Sequence, residues 1–600
     1  MERREGESRR PLIRRPVFWV PLAALVLLIV GGGIVAAVLV PRALDARDRL
    51  QSAPQLVVEV QERILAGDTQ GATQAAAELG VLTDSARKQT SGRLWQAFEW
   101  VPFVGQNLHA VRMAAASADV IARDAVVPAA SLSLDALKPV DGRIDLGAVT
   151  AAAATVDGAA DAVTEATSML ESVDRSMLVP EVASGLQRLD GATSSAQQVL
   201  EPARAVVSVL PGLLGADGPR DVLFLFQNNG EVMPRGGTVG SLAQMHIESG
   251  AITLVAQSSA APIDMPMYDE DVVPIAADVR ATYPSGLGRY VQNLTRTPRF
   301  SLTFDIAKEM WERTHGVEVD MVVAIDTVAL SYFLDATGPI DLPGGLQLTS
   351  ANAVPMLLGD LYQAFEPYEV DAINQAFAAT TMSRLMSGTV DVRALVSVVQ
   401  RAADERRILV RSERPAEQDL IAGSPFEGEP PSEDAAADGF GVYFIDSTPG
   451  KMQRFMTQNV DLSQAVCAAD GRRNVRMTVV LGNAVDPASV ESLPGYVTGG
   501  GQAIEVGSMR VEVLAYSLPG YELVEQKADG NTDAVRTGTD GEFAVAQQTV
   551  TIAPQQTRTL TFDYVSADPA EVELVADVTP VVSPTQLTTG SLDCAMITAG

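Results

Sequence analysis

The sequence is poor in the side chains that hold metals. Its 600 residues include two cysteines, Cys467 and Cys594, and three histidines, His109, His246 and His315, all far apart. That excludes a zinc site of ordinary ligand spacing. A Walker phosphate loop and a Gly-x-Ser-x-Gly nucleophile elbow are both missing. Basic residues are scarce: 44 Lys and Arg stand against 75 Asp and Glu, for a net charge of −31. Nucleic acid needs a basic footprint, so it is excluded as a partner. The same deficit disfavours docking on anionic lipid headgroups by charge alone. Aromatics make up only 5% of the chain, but hydrophobic residues reach 47%, a globular rather than a disordered composition.

Long apolar runs are also rare, with one exception at the N-terminus. Residues 1–16 hold six Arg and three Glu, and Val17–Val40 then runs 24 residues without a charge. About 20 apolar residues span a bilayer, and a cleaved signal would have a shorter apolar core. The expectation is a single uncleaved transmembrane helix in the cell membrane. Its arginines hold the N-terminus in the cytoplasm, and everything from Pro41 onward lies outside. The tail carries +3, so the exterior carries −34. In an exported segment an even pair of cysteines predicts a Cys467–Cys594 disulfide. Closing so long a loop is worth about 4–5 kcal/mol in the chain-entropy account.

The rest of the chain divides by pattern. Residues 43–212 are Ala-rich with apolar residues at three- and four-residue spacing, which predicts an extracellular helical stalk. Residues 217–425 alternate strand and helix signals and predict an α/β domain, with VDMVVAIDT as a central strand. Residues 426–439 are a Pro-rich, acidic linker. Residues 440–600 show short alternating runs separated by turns, the pattern of an antiparallel β-sandwich. The fold class is multidomain α+β.

One stretch stands out as a site. The apolar run Val222–Phe226 feeds into QNNGEVMPRGGT, residues 227–238. Ligands in open α/β sheets sit at the carboxyl ends of strands, so Gln227, Asn228, Arg235 and Thr238 are candidate ligand-binding residues. Downstream, Arg280, Arg289, Arg296 and Arg299 fall within twenty residues. Guanidinium groups bind phosphate through paired hydrogen bonds, so these four and Arg235 form a candidate anion site.

The α/β segment resembles the LytR-CpsA-Psr transferases, which move glycopolymers from polyprenyl carriers to the bacterial cell wall. GVEVDMVVAIDTVALSYFLDATGPIDL carries that resemblance. The chain more closely resembles an actinobacterial family of uncharacterised membrane-anchored envelope proteins. FLFQNNGEVMPRGGTVGS and RYVQNLTRTPRF carry this match, and FIDSTPGKMQRF and SLPGYVTG extend it into the β region. Against the transferase pattern, Arg235-Gly236-Gly237-Thr238 falls where Arg-Ser-Asp-Thr would, so Gly237 replaces a metal-site aspartate. Gln257-Ser258-Ser259-Ala260 falls where a Pro-Arg-Asp would, so an arginine is missing. Phosphoryl transfer needs a metal and cations for its spreading charge.

Two functional readings follow. In the first, the protein binds or scaffolds a cell-wall or exopolysaccharide precursor, a lipid-linked phosphate, without the usual catalytic groups, and envelope proteins are its other partners. In the second, it is a divergent glycopolymer phosphotransferase, with Glu231 or Asp264 holding Mg²⁺ in place of the lost aspartate.

Overall fold

The computed structural model describes residues 33 and 35–596, without 285, 343–344, 432–437, 468–470, 533–534 and 567–571. Residues 1–16 and most of the apolar run Val17–Val40 lie outside the described residues. The chain is mixed helix and sheet. It forms two compact units, one from residues 1–137 and 147–210, the other from 138–146 and 211–600.

The first unit is helical. A π-helical turn, Val35–Leu39, continues into α1 (Val40–Leu65). Then come α2 (Thr69–Thr90), α3 (Arg93–Phe98), α4 (Val104–Val120), α5 (Leu146–Glu171) and α6 (Pro180–Leu213). Small residues set the packing: Ala46, Ala86 and Ala115 meet between α1, α2 and α4. Helix α5 is long and apolar enough to cross a membrane, by length and composition only. Its Ala159 and Ala162 pack against Val120 and Ala125 in the core of the unit.

The second unit opens with a mixed five-stranded sheet. Its strands are β1 (Arg220–Met233), β2 (Gly236–Glu248), β3 (Ala251–Ser259), β4 (Met321–Asp326) and β5 (Ile408–Ser412), in the order β3-β2-β1-β4-β5. β1 is central and runs parallel to β4; the other pairs are antiparallel. VDMVVAIDT is therefore second from the edge, not central. Both faces of β1 are covered, which explains its unbroken apolar run. Leu223 and Leu225 face α7 (Phe300–His315), where Trp311 and Met310 are buried, while Val222 and Phe224 lie on the other face beside Met245, Met321 and Val410 of the same sheet, in one cluster with Leu213 and Met382. Helix α8 (Thr327–Thr337) starts where Asp326 accepts the Ala329 amide at 2.7 Å. Helices α9 (Pro367–Met386) and α10 (Val392–Asp404) follow.

Two further sheets come from residues 438–591. The first has five strands: β6 (Asp438–Asp446), β9 (Met509–Ser517), β12 (Arg536–Asp540), β13 (Phe543–Ile552) and β15 (Leu574–Val578). The second has six: β7 (Met456–Val466), β8 (Arg473–Asn483), β10 (Tyr521–Ala528), β11 (Asn531–Thr532), β14 (Thr557–Ser566) and β16 (Gln586–Ser591). They enclose one core, with Val511 and Val513 facing Val479 and Phe562. The pairing is not wholly antiparallel. β15 runs parallel to β6, and β16 parallel to β7, because the last two strands return to edges already flanked by earlier ones. Cys467 and Cys594 are joined by a disulfide across 127 residues.

The outer face of the five-stranded sheet of this pair is also buried. Its Tyr443, Ile445, Leu514 and Tyr516 join the core of Phe300, Phe304 and Trp311. Residues 217–425 and 440–600, read from the sequence as two domains, thus share a continuous core in one unit.

Candidate functional site

The polar stretch after Phe226 is not a loop. β1 continues to Met233 through register shifts at Phe226/Gln227 and Asn228/Val232, and the chain turns only at Pro234-Arg235. Such bulges re-aim side chains beside functional sites. Here the Asn228 side chain accepts the Gly230 amide at 2.8 Å, which shapes the bulge, and Glu231 accepts from Lys451. Gln227, Asn228, Glu231 and Thr238 then line one cavity of about 390 Å³. That volume falls within the range of small-ligand pockets.

Residues distant in sequence complete the wall. Helix α9 contributes Asp371, Asn374, Phe377 and Ala378, spaced three to four apart on one helix face. The helical segment before it supplies Leu357, Leu358 and Tyr362. The turn after β6 supplies Lys451, and a short helix before β9, Gly495–Thr498, supplies Tyr496. The Lys451 ammonium is buried 2.7 Å from Glu231 and lies over the rings of Tyr362 and Tyr496, at 5.4 and 5.2 Å. Burial alone would lower its pKa, but Glu231 and the two phenols outweigh that and raise it. Burial pushes the Asp371 carboxyl up, against the weaker pull of Lys451. Burial likewise pushes the Tyr362 phenol up to about 12. The Tyr362 hydroxyl accepts from Asn228 at 3.3 Å. Gln227 is almost wholly buried, and its Nε2 has no hydrogen-bond partner. A buried donor left unmet costs about 1–3 kcal/mol, so a ligand acceptor at this spot would be favoured.

The arginines do not join this cavity. Arg235 is buried, donates to the Pro298 carbonyl at 2.6 Å and pairs with Asp577 of β15 at 2.7 Å. Asp577 also accepts from the Tyr443 hydroxyl at 2.7 Å and from Arg406. Burial would raise its pKa, but Arg235 and Arg406 hold it below the usual carboxylate value. Arg299 pairs with Asp540 at 2.5 Å, and Arg296 lies 3.6 Å from Glu512. Arg280 pairs with Asp271 at 2.6 Å, and Arg289 donates to the Tyr268 carbonyl at 2.9 Å. These last two border a separate depression with Asp269, Glu270 and Asp271, a surface unsuited to phosphate. The five guanidinium groups are thus dispersed, and three of them tie the α/β part to the C-terminal sheets.

The metal candidates also separate. Glu231 is engaged by Lys451, whereas Asp264 accepts from the Ser259 hydroxyl at 2.5 Å and does not line the cavity. Among the described residues no three His, Cys, Asp or Glu come together as a metal site. Gly237 is a packing position. A Cβ there would press on the Asn228 carbonyl and the Asn229 amide, backbone atoms that cannot swing away. An aspartate could not stand at 237 without rebuilding the β1–β2 hairpin.

Residues 217–362 match a family described as "Protein of unknown function (DUF4012)". That span runs from just before β1 to Tyr362 in the cavity wall. It holds Gln227, Asn228, Glu231, Thr238 and Tyr362, and leaves Asp371, Lys451 and Tyr496 outside. Comparison with curated proteins finds no match. Sequence reasoning missed Asp371, Lys451 and Tyr496. The one signal was their company: FIDSTPGKMQRF and SLPGYVTG, which carried the resemblance, contain Lys451 and Tyr496.

Proposed function

We propose that this is a single-pass cell-envelope protein whose extracellular part binds a glycan precursor of the cell wall or of an exopolysaccharide without transferring it. The observation that carries this reading is the cavity behind the β1 bulge. Its apolar back wall, two tyrosines and short polar groups suit a sugar ring, which presents apolar faces and a rim of hydroxyls. Gln227 Nε2 offers an unmet donor, while Asp371 and Asn374 offer acceptors. The one ammonium is already balanced by Glu231, so the cavity favours the sugar portion of a lipid-linked precursor over its pyrophosphate. The internal pairing of Arg235 and Arg299, and the tight packing at Gly237, support binding over phosphoryl transfer.

The test is native mass spectrometry of the full chain in detergent, titrated with cell-wall oligosaccharides and, separately, with a short-chain prenyl pyrophosphate and Mg²⁺. The expected result is retention of an oligosaccharide that Asp371→Ala and Lys451→Met weaken, with no turnover of the pyrophosphate. Turnover of the pyrophosphate with Mg²⁺, or oligosaccharide retention unchanged by both substitutions, would overturn the reading.

A further inference from the structure

The first unit carries an apolar surface that its own core does not use. The turn between α3 and α4, Trp100-Val101-Pro102-Phe103, leaves Trp100 80% and Phe103 67% exposed. Phe103 also has φ of 68°, a strained setting for a bulky residue, and such strain collects at functional positions. The neighbouring connection between α5 and α6 adds exposed Met177 and Val179. Asn107, in the first turn of α4, holds that connection in place: it donates to the Met177 carbonyl at 3.2 Å and accepts the Val179 amide at 2.8 Å. The four exposed side chains therefore share one end of the helical unit.

That end is also where the apolar run Val17–Val40 enters the structure. Leu39 is fully buried in a small cluster with Trp95 and Leu108, flanked by Ala43, Phe98 and Val104. Trp95 donates to the Leu108 carbonyl at 2.9 Å, which fixes α3 against α4 at this level. Leu39 is thus locked against the two helices whose connection is the Trp100–Phe103 turn. If Val17–Val40 spans the bilayer, the membrane surface lies at this level. Tryptophan and phenylalanine are at home in the interface, where an apolar ring can sit below the headgroups. Attachment there needs no basic patch, which an acidic exterior does not have.

We infer that the Trp100–Phe103 turn, with Met177 and Val179, inserts into the outer headgroup layer of the bilayer beside the membrane anchor and seats the helical unit on it. The inference rests on the membrane reading of Val17–Val40, and the experiment separates the two. The full chain, with its disulfide intact, is placed in phosphatidylcholine nanodiscs and spin-labelled at Trp100→Cys, Leu28→Cys or Gln74→Cys. Collision with oxygen, which concentrates in lipid, is compared with collision with an aqueous nickel chelate. The expected result is a label at 100 several-fold more protected from nickel than the label at 74, on the exposed face of α2, and a label at 28 fully protected. Equal nickel access at 100 and 74, with 28 protected, overturns the inference and leaves the anchor standing. Nickel access at 28 overturns both. Dipolar broadening between labels at 100 would show a second copy covering the turn, and also overturns the inference. Trp100→Phe should lower the quenching of tryptophan emission by chain-brominated phosphatidylcholine relative to the parent, and unchanged quenching counts against insertion.

Discussion

Replacing Arg235 by alanine should damage the fold of residues 211–600 rather than a ligand site. The guanidinium is buried between the β1–β2 hairpin and β15, and its removal leaves Asp577 enclosed with Arg406 and Tyr443 alone. Breaking a buried ion pair from one side costs roughly 3–5 kcal/mol. The two remaining partners place the expected loss near the lower figure, about 3 kcal/mol. The unit holds roughly 400 residues, so at about 2.1 cal/mol/K per residue its unfolding entropy is about 0.8 kcal/mol/K, and Tm should fall by about 4 °C. The pH dependence carries a second signature. Asp577 is held below its ordinary pKa in the folded state, so the pair contributes fully above the unfolded value. Its contribution is lost as pH falls through the folded one. The gap between parent and Arg235→Ala should therefore be widest near neutrality and narrow in acid. Differential scanning calorimetry between about pH 3 and 7 checks both points, with Asp577→Asn as the companion variant. An unchanged Tm at neutral pH, or a gap that persists in acid, would refute the reasoning. An unchanged Tm together with lost ligand binding would restore Arg235 as an anion-binding residue.

Other substitutions probe the remaining features. Lys451→Met should strip Glu231 of its buried partner in the cavity wall and weaken oligosaccharide binding by on the order of tenfold or more, since hydrogen bonds to charged groups are worth about 1.5–3 kcal/mol; isothermal titration calorimetry reads it. Asp371→Asn should stabilise the protein at neutral and alkaline pH, because the folded carboxyl has a raised pKa and its ionised form is disfavoured by burial. That gain should vanish once pH falls below the ordinary carboxylate value. Gly237→Ala should cost about 1–3 kcal/mol or more from overpacking against backbone, seen as a lower denaturant midpoint. Cys594→Ser, read the same way, should cost up to about 5 kcal/mol for a 127-residue loop.

Much of the fold was legible because local pattern dictated it. The Ala-rich periodicity of 43–212, the β2–β3 hairpin at Ser249-Gly250 and the helix ending at Gly316 all follow from rules acting over a few residues. The bulge was not legible. QNNGEV reads as a turn, and only pairing with β2 shows that the strand continues. The shared core was hidden for a related reason: GVYFIDS has apolar residues on both faces, the mark of two-sided burial, but its short run and flanking turns read equally as a sandwich strand. The arginines misled because density in sequence says nothing about partners. Their acids, Glu512, Asp540 and Asp577, lie more than two hundred residues downstream of Arg296, Arg299 and Arg235. Gln227, Asn228, Glu231 and Thr238 share the cavity wall because they flank one strand end, whereas Lys451 reaches it from more than two hundred residues downstream, marked only by the stretch around it.

The shared core also sets an order of events during synthesis. Strands β1 to β5 leave the ribosome before any of the residues that cover Phe300, Trp311 and their neighbours from the other side. Arg235 waits for Asp577, some 340 positions later, and Glu231 waits for Lys451. Until the last strands have emerged, the early half holds an open apolar face and an uncompensated charge. The wall of the cavity is therefore complete only once Tyr496 has emerged. A product truncated before Lys451 and Tyr496 would lack that wall of the cavity and would leave the apolar face bare.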